Sequence, residues 1–254
     1  MPSAWSKKEF VTRRFGLLLA RKGSKGLPGK NTRLFLGKPL FRYGLDVGAE
    51  MPEIELMFVS SDDRDLLAIS AGPKIVSLVR PDDLASDETP MMDVIKFERK
   101  RINDAYGQPD VWIVFLGNSP TLTSAMVRRC CEALDAHPAI DSVIPVVELP
   151  QWTPLRALRT DGDELSPWVP SVATYTTSTN RQAEAMTLFA TNAFFVVRDE
   201  GLEHADASPF CLPWMGRRSM GIVDPHGGLD IDTEADLVTA EAWWDRARKA
   251  GEID

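Results

Sequence analysis

The sequence predicts an α/β fold built on a doubly wound, mostly parallel sheet, and three observations support this. Short apolar runs alternate with longer amphipathic stretches over the first 150 residues. The runs are nearly continuous in Val, Ile, Leu and Phe, as in strands buried on both faces. The 254 residues are 44% hydrophobic and 26% charged, which is enough to bury a sizeable core. Ligands of such sheets bind at the carboxyl ends of the strands.

The first 150 residues supply five predicted strands and four predicted helices. In chain order, the strands are Phe15–Ala20, Leu56–Ser60, Lys74–Val79, Val111–Leu116 and Ser142–Val147. Helices are predicted between them at 39–50, 63–71, 90–106 and 124–136. The helix at 90–106 has a clear pattern, because Met91, Val94, Ile95 and Ile102 recur at helical spacing with charges between them.

The alternation breaks at Pro150. Residues 150–191 are rich in Pro, Thr and Ser and contain Trp152 and Trp168, which predicts an irregular inserted arm within a single domain spanning 1–254. A partner surface and a loop packed on its own domain are equally open readings of this arm. A further strand, Ala193–Val197, and a final helix, Thr233–Arg248 with Thr233 as N-cap, complete the prediction.

Charge and cysteine content exclude several classes of protein. The net charge of −8 argues against nucleic acid as the main partner. Three cysteines, Cys130, Cys131 and Cys211, are too few for a disulfide scaffold and indicate a reducing compartment. The apolar stretch at 15–20 is too short for a signal-peptide core, and no run is long enough to span a membrane. We therefore expect a cytoplasmic protein with no membrane partner.

A basic loop follows the first predicted strand. Residues 10–45 contain nine Lys and Arg and no Asp or Glu. Gly23, Gly26 and Gly29 allow backbone N–H groups to turn toward an anion, and the nearby cations could neutralise phosphate charges. The spacing matches neither a Walker A loop nor G-x-G-x-x-G. A solvated basic loop with turn glycines is the alternative interpretation.

Acidic residues cluster near the other end of the sequence. Asp230 and Asp232 lie on one face if their segment is extended, and two such carboxylates suit Mg²⁺ or Mn²⁺. The alternative is that they only precede and cap the last helix. His137, His204 and His226 are scattered, so no zinc site is predicted. A cationic loop together with a carboxylate pair for a divalent metal is what nucleoside triphosphate chemistry requires.

Several motifs resemble one enzyme family in order along the chain. Residues 20–31, Ala-Arg-Lys-Gly-Ser-Lys-Gly-Leu-Pro-Gly-Lys-Asn, followed by Leu36-Gly-Lys-Pro-Leu40, resemble the nucleotide-binding signature of acylneuraminate cytidylyltransferases and, in part, of CMP-KDO synthetases. Arg80-Pro-Asp-Asp-Leu-Ala-Ser-Asp87 and Asp230-Ile-Asp232 resemble later motifs of the same family. The resemblance runs from about residue 14 to about residue 245.

The resemblance implies a Rossmann-like fold with an inserted dimerisation arm, and hence a homodimer. It implies transfer of CMP from CTP to a 2-keto-3-deoxy sugar acid, with release of pyrophosphate. The nucleotide-binding residues that it implies are Ala20, Arg21, Gly23, Ser24, Lys25, Lys30, Asn31 and Arg80. Arg21, Lys30 and Asp232 are expected to be catalytic, and Asp230 and Asp232 to hold Mg²⁺ or Mn²⁺.

The motifs that face the acceptor depart from the family pattern. Leu116 stands where the family has Gln, Asn118 lies in the altered Gly-Asn pair, and Phe195 replaces a Tyr. We expect these residues to line an acceptor pocket that is more apolar than a sialate pocket. An acceptor carboxylate needs a fixed cation, and Arg156, then Arg181, are the candidates. Both could instead be surface or dimer-contact arginines.

Two other functions are compatible with these residues. A metal-dependent glycosyltransferase also uses Asp-x-Asp, although it does not need so many cations after the first strand. A non-catalytic nucleotide-binding homologue could use the Trp-containing arm for partners. Release of pyrophosphate from a triphosphate distinguishes the cytidylyltransferase from both.

Overall fold

The computed structural model describes residues 12–23, 26–149, 153–169, 187–224, 230–251 and 253, without the side chains of Leu155 and Asp161. Twelve strands and six α-helices are formed by these residues. The strands are β1 (Arg14–Leu19), β2 (Leu34–Phe35), β3 (Lys38–Pro39), β4 (Leu56–Ser61), β5 (Ile75–Val79), β6 (Val111–Leu116), β7 (Ser142–Glu148), β8 (Leu158–Asp161), β9 (Glu164–Pro167), β10 (Leu188–Ala190), β11 (Phe194–Arg198) and β12 (Ser219–Val223). The helices are α1 (Leu40–Glu50), α2 (Arg64–Ala68), α3 (Met91–Tyr106), α4 (Ser124–Ala136), α5 (Asp199–Glu203) and α6 (Glu234–Ala250).

Eight strands form the central sheet, in the order β10-β7-β11-β6-β1-β4-β5, with β12 paired to β7. The pairs β1–β4, β1–β6, β4–β5 and β7–β12 are parallel. Strand β11 runs antiparallel between β6 and β7. The chain winds from β1 through β4 to β5 in one direction and places β6 on the other side of β1, so the connection reverses between β1 and β6. This reversal is the position where doubly wound sheets bind ligands.

Two apolar layers cover the faces of this sheet. One face packs against α1 and α4 and includes Leu18, Phe115 and Val127. The other packs against α3 and includes Phe15, Trp112 and Ile95. Because both faces are covered, the continuous apolar strands β1, β4 and β6 are buried almost throughout, as predicted.

Strand β5 departs from the expectation of full burial, because it lies at the edge of the sheet and its residues alternate between partial burial and exposure. The predicted helix at 63–71 is shorter, at Arg64–Ala68. The final helix begins after Thr233, whose hydroxyl accepts from the backbone N–H of Asp236. The side chain of Asp236 accepts in turn from the backbone N–H of Thr233. These two hydrogen bonds confirm the predicted N-cap.

A third apolar cluster joins the two ends of the chain. Leu27 and Phe35 from the first forty residues pack with Ile231, Leu237 and Ala240. This cluster anchors α6 beneath the basic loop. It therefore brings the two charged segments singled out in the sequence to the same side of the molecule.

Within the predicted arm, β8 and β9 form a two-stranded sheet of their own, and β10 joins the central sheet next to β7. Trp168 is exposed and its backbone N–H donates to the carbonyl of Ala157 (2.9 Å). Trp152 lies outside the described residues. Among the described helices, none is long and apolar enough to cross a membrane.

All three cysteines are free thiols. Cys130 and Cys131 are buried on α4, as the sequence predicts, and burial raises the pKa of Cys130 to about 12 and that of Cys131 to about 11. Both therefore stay protonated and act as small apolar core residues.

Candidate nucleotide-binding site

Several of the predicted site residues lie at the carboxyl edge of the sheet. Ala20 and Arg21 follow β1, Arg80 follows β5, and Leu116 ends β6. Of these, Arg21, Arg80 and Leu116 line a pocket of about 300 Å³ at the reversal between β1 and β6. The lining residues are Leu19, Arg21, Gly23, Lys30, Asn31, Arg80, Leu84, Ser86, Asp87, Thr89, Met91, Val94, Leu116 and Asn118.

The basic loop is held in place by its own polar contacts. Asn31 is buried, and its side-chain N–H donates to the carbonyl of Arg21 (2.7 Å). The backbone N–H of Lys22 donates to Asp62 (2.8 Å). Gly29 has φ +64°, a left-handed conformation that favours glycine, just before the short turn that carries Lys30. Ser24 and Lys25, also predicted to bind the nucleotide, lie outside the described residues.

The basic loop and the acidic segment are in direct contact. Lys30 Nζ lies 2.6 Å from Asp232 Oδ1, and Arg33 pairs with Glu234 (2.7 Å). A Cβ atom placed on Gly26 would lie 2.6 Å from the carbonyl oxygen of Asp232, so only glycine allows this approach. Cations and carboxylates that are about 200 residues apart in sequence therefore share one site.

Asp230 and Asp232 do not cap the last helix, since Thr233 and Asp236 perform that role. Burial raises the pKa of Asp230 to about 6, with a further contribution from the neighbouring charge of Asp232 and opposition from Lys30. Asp232 remains largely exposed. Two carboxylates that one lysine only partly neutralises form a donor set that suits a hard divalent cation.

Within the described residues, no group of three or more His, Cys, Asp and Glu side chains is arranged to hold a metal ion. Two protein carboxylates and the oxygens of a bound phosphate together match the way proteins commonly hold Mg²⁺. The carboxylate pair therefore fits a metal that binds together with a phosphorylated ligand.

Arg80 is a buried cation at the base of the pocket. Its guanidinium donates to the carbonyl (2.9 Å) and hydroxyl (3.1 Å) oxygens of Ser60. The Ser60 hydroxyl in turn donates to Glu98 (2.6 Å), which is fully buried. Burial lowers the pKa of Arg80, and the charges of Asp62 and Glu98 oppose that shift. This network fixes the orientation of the guanidinium before any ligand arrives.

Asn118 connects the end of β6 to the acidic segment. Its carbonyl accepts from the backbone N–H of Ile231 (2.9 Å), and its side-chain N–H donates to the carbonyl of Ile231 (3.3 Å). Ile231 lies between Asp230 and Asp232 and is fully buried. Asn118 thus holds the backbone between the two aspartates, in addition to lining the pocket where it was expected to contact an acceptor.

Two of the predicted acceptor residues lie away from this pocket. Phe195 is buried in the core and stacks on Trp214 with ring centroids 5.4 Å apart, because the alternation of β11 directs its side chain into the layer over that face. Arg156 is exposed in a short turn of the arm and is not a lining residue. Arg181 lies outside the described residues.

No role was predicted for Ser86, Asp87 and Thr89, which also line the pocket. Asp87 forms an ion pair with Arg21. The motif at 80–87 could have indicated that this segment contributes to the pocket. Its pairing with a residue 66 positions earlier is not visible in the sequence.

Residues 15–215 match the cytidylyltransferase family, a span that includes the basic loop, β5 and β6. The chain belongs to the cytidylyltransferase family. Its resemblance to this family, expected from the motifs, is therefore confirmed.

Relatives within the family differ in the acid that their names carry. An N-acylneuraminate cytidylyltransferase of Escherichia coli is 32% identical over 34% of this chain and 20% of that protein. A CMP-N,N'-diacetyllegionaminic acid synthase of Legionella pneumophila is 29% identical over 58% of this chain and 64% of that protein. The matches span less than two thirds of either relative's length.

The solved structure of a CMP:2-keto-3-deoxy-manno-octonic acid synthetase complexed with CTP superposes with a TM-score of 0.62. It is 17% identical and covers 92% of this chain and 99% of that one. This likeness confirms the Rossmann-like α/β fold of this cytidylyltransferase.

Proposed function

We propose that this cytidylyltransferase transfers CMP from CTP to a 2-keto-3-deoxy sugar acid of the nonulosonic type. The hydroxyl on the carbon that bears the acceptor carboxylate attacks the α-phosphorus of CTP. A new oxygen–phosphorus bond forms, the bond from the α-phosphorus to the bridging oxygen breaks, and pyrophosphate leaves. The hydroxyl proton passes to solvent or to a base. The activities for which the two relatives are named, transfer of a cytidylyl group and synthesis of a CMP-linked nonulosonic acid, support both halves of this reaction.

The observation that carries the proposal is the charge arrangement of the pocket. Arg21, Lys30 and Arg80 converge on a space of about 300 Å³ whose lining also includes apolar side chains. A triphosphate brings several negative charges, and fixed guanidinium and ammonium groups stabilise them best where water is partly excluded. Leu19, Leu84 and Val94 offer an apolar surface for a base.

Asp230 and Asp232 are the residues that would hold Mg²⁺ or Mn²⁺. When bound, such an ion neutralises negative charge that develops during phosphoryl transfer. The pKa of Asp230 is raised first by burial and then by the charge of Asp232, and a bound cation would oppose both. Asn118 holds the backbone between the two aspartates through Ile231.

The acceptor is proposed to be less polar than N-acetylneuraminate. Leu116 lines the pocket at the position where relatives of the sialate class have Gln, so one hydrogen-bonding group toward the acceptor is missing. A deoxygenated or differently acylated nonulosonic acid fits such a wall better. Arg156 and Arg181 remain the predicted contacts of the acceptor carboxylate, the first from an exposed turn of the arm.

A cytoplasmic homodimer formed through the arm is part of this proposal. Leu165 (66% exposed) and Trp168 (65%) present apolar side chains on and just after the β8–β9 hairpin. Leu158 and Leu188 of the same arm are 58% and 45% exposed. Apolar and aromatic anchors of this kind are typical of protein interfaces. Light scattering at micromolar concentration tests it, and a monomer would contradict it.

One screen tests the reaction itself. Each nucleoside triphosphate is incubated with a panel of keto-sugar acids and Mg²⁺, and pyrophosphate is measured. We expect release only with CTP and an acid, and loss of release in Arg21→Ala. Transfer from a nucleotide sugar without pyrophosphate would favour the glycosyltransferase. Tight CTP binding without turnover on any acid would favour the non-catalytic homologue.

A further inference from the structure

Arg21 is held by a carboxylate on the opposite wall of the pocket. Its guanidinium forms an ion pair with Asp87, and both residues line the cavity. Arg21 belongs to the loop after β1, whereas Asp87 belongs to the connection between β5 and α3. The ion pair therefore joins two walls between which a ligand has to lie.

Asp87 is presented by a tight, internally bonded turn. The hydroxyls of Ser86 and Thr89 are 2.8 Å apart, and the backbone N–H of Thr89 donates to the carbonyl of Ser86 (3.3 Å). Asp87 and Glu88 form the tip of this turn. Because the turn is closed by its own bonds, the backbone that carries Asp87 is held beside the pocket.

The ion pair is partly open to solvent. The side chains of Arg21 and Asp87 are 34% and 31% exposed. Such pairs contribute little to stability, since water and salt screen them. A bound phosphate would bring at least as much negative charge to the same guanidinium, and one set of N–H groups cannot serve both acceptors fully.

We propose that Asp87 is a positioning residue that holds Arg21 in the free protein and competes with the phosphates of the nucleotide for it. This inference rests on the proposed function, because it takes the triphosphate as the ligand of Arg21. Nucleotide binding then exchanges one anionic partner of Arg21 for another. Ligands with little negative charge therefore bind more weakly than a triphosphate. When pyrophosphate leaves, the ion pair between Asp87 and Arg21 forms again.

The test measures binding without turnover. Dissociation constants of CTP and of inorganic triphosphate are determined by calorimetry in EDTA for the wild type, Asp87→Asn, Asp87→Glu and Glu88→Gln. Glu88 is the matched control, because it is the next residue of the same turn, is exposed, and has no ion pair among the described residues. We expect Asp87→Asn to bind both ligands about two- to five-fold more tightly, the size expected for a partly exposed ion pair.

Three further results define the outcome. Asp87→Glu should restore an affinity near that of the wild type, and Glu88→Gln should match the wild type. In an Arg21→Ala background the effect of Asp87→Asn should shrink, since the competition is gone. An unchanged or weaker affinity in Asp87→Asn, or an equal effect in both backgrounds, would overturn the proposal.

Inorganic triphosphate separates this inference from the proposed function. If CTP fails to bind while Asp87→Asn still tightens triphosphate binding, the nucleotide assignment fails and the competition stands. If CTP binds and supports turnover while Asp87→Asn leaves both affinities unchanged, the function stands and the competition fails. A melting temperature equal to that of the wild type excludes a merely structural effect of the variant.

Discussion

Two groups of ion pairs lie at different positions on the central sheet, and their surroundings differ. At the start of α5, Asp199 is 3% exposed and accepts from Arg99, from Gln108 (2.5 Å) and from the indole of Trp112 (2.7 Å). At the carboxyl edge, Asp232 is 65% exposed and pairs with Lys30.

Burial and the number of donors separate the two groups. Burial alone would raise the pKa of Asp199, but hydrogen bonds from Arg99 and Trp112 and the charge of Arg99 outweigh it and lower the pKa. Among the described residues, Asp230 has no comparable set of donors, and its pKa is raised to about 6. A carboxylate that the protein satisfies completely supports the fold, whereas one left incompletely satisfied is available to a ligand.

The largest expected effect lies on the carboxylate pair. Asp230→Asn or Asp232→Asn should lower turnover by at least about a thousand-fold, because a metal ligand contributes several kcal/mol to charge stabilisation in the transition state. Steady-state pyrophosphate release measures the loss. Melting temperatures should stay close to that of the wild type. Glu234→Gln removes a neighbouring exposed carboxylate and should retain activity, and near-normal turnover in both aspartate variants would contradict the assignment.

Asp199→Asn should have the opposite outcome, with a loss of stability and little change in the site. Breaking a buried ion pair costs about 3 kcal/mol of unfolding free energy. Urea unfolding measures it, with Asp206→Asn as control, because Asp206 pairs with Lys96 (2.7 Å) while 85% exposed. A control that destabilises as much as Asp199→Asn would remove the distinction between the two groups.

The stability difference between the wild type and Asp199→Asn should depend on pH, and the direction of the pKa shift of Asp199 determines how. The pKa of Asp199 is lowered in the folded protein, so its stabilisation is fully present above the ordinary aspartate value of about 3.9. It is lost as the pH falls through the folded-state pKa. The stability difference between wild type and Asp199→Asn should therefore be constant near neutral pH and shrink in acid.

Arg21→Ala should act on catalysis more than on folding. Loss of one donor that faces developing charge lowers turnover by about 100- to 1000-fold, and the Michaelis constant for CTP should rise as well. Initial-rate kinetics with CTP and acid varied separately give both values. If only the affinity for the acid changes, Arg21 belongs to the acceptor side instead.

The smallest effect is expected at Leu116. Leu116→Gln restores the polar group of the sialate pattern and should shift the preference toward N-acetylneuraminate by about ten-fold in kcat/KM. Competition between two acids in one reaction measures the ratio. If the wild type already uses N-acetylneuraminate as well as any other acid, Leu116 does not set specificity.

Local hydrophobic patterns in the sequence predicted most of the strands and helices. Helix α4 has the predicted bounds, 124–136, and the strands β1 and β6 match the apolar runs closely, because buried strands and amphipathic helices leave a short-range signature. The antiparallel direction of β11 and the strand β12 were not foreseen. Their pairing depends on β7, which is far from them in sequence.

In the candidate site, too, residues with a local sequence signal were predicted and contacts between distant segments were not. Residue types and glycine spacing predicted Arg21, Lys30 and the carboxylate pair, and all of them lie at the carboxyl edge. The contacts around them were not predictable, because Asp87 pairs with Arg21, and Ile231 with Asn118, across distant segments of the chain. Phe195 illustrates the limit, since a motif position alone did not reveal that its strand directs the ring into the core.

The approach of Gly26 to Asp232 has a consequence for how the protein is made. During synthesis on the ribosome the basic loop emerges early, but its partner segment and α6 emerge some 200 residues later. Until then Leu27 and Phe35 have no Ile231 or Leu237 to pack against. The candidate site is therefore completed only after the acidic segment and α6 have been synthesised.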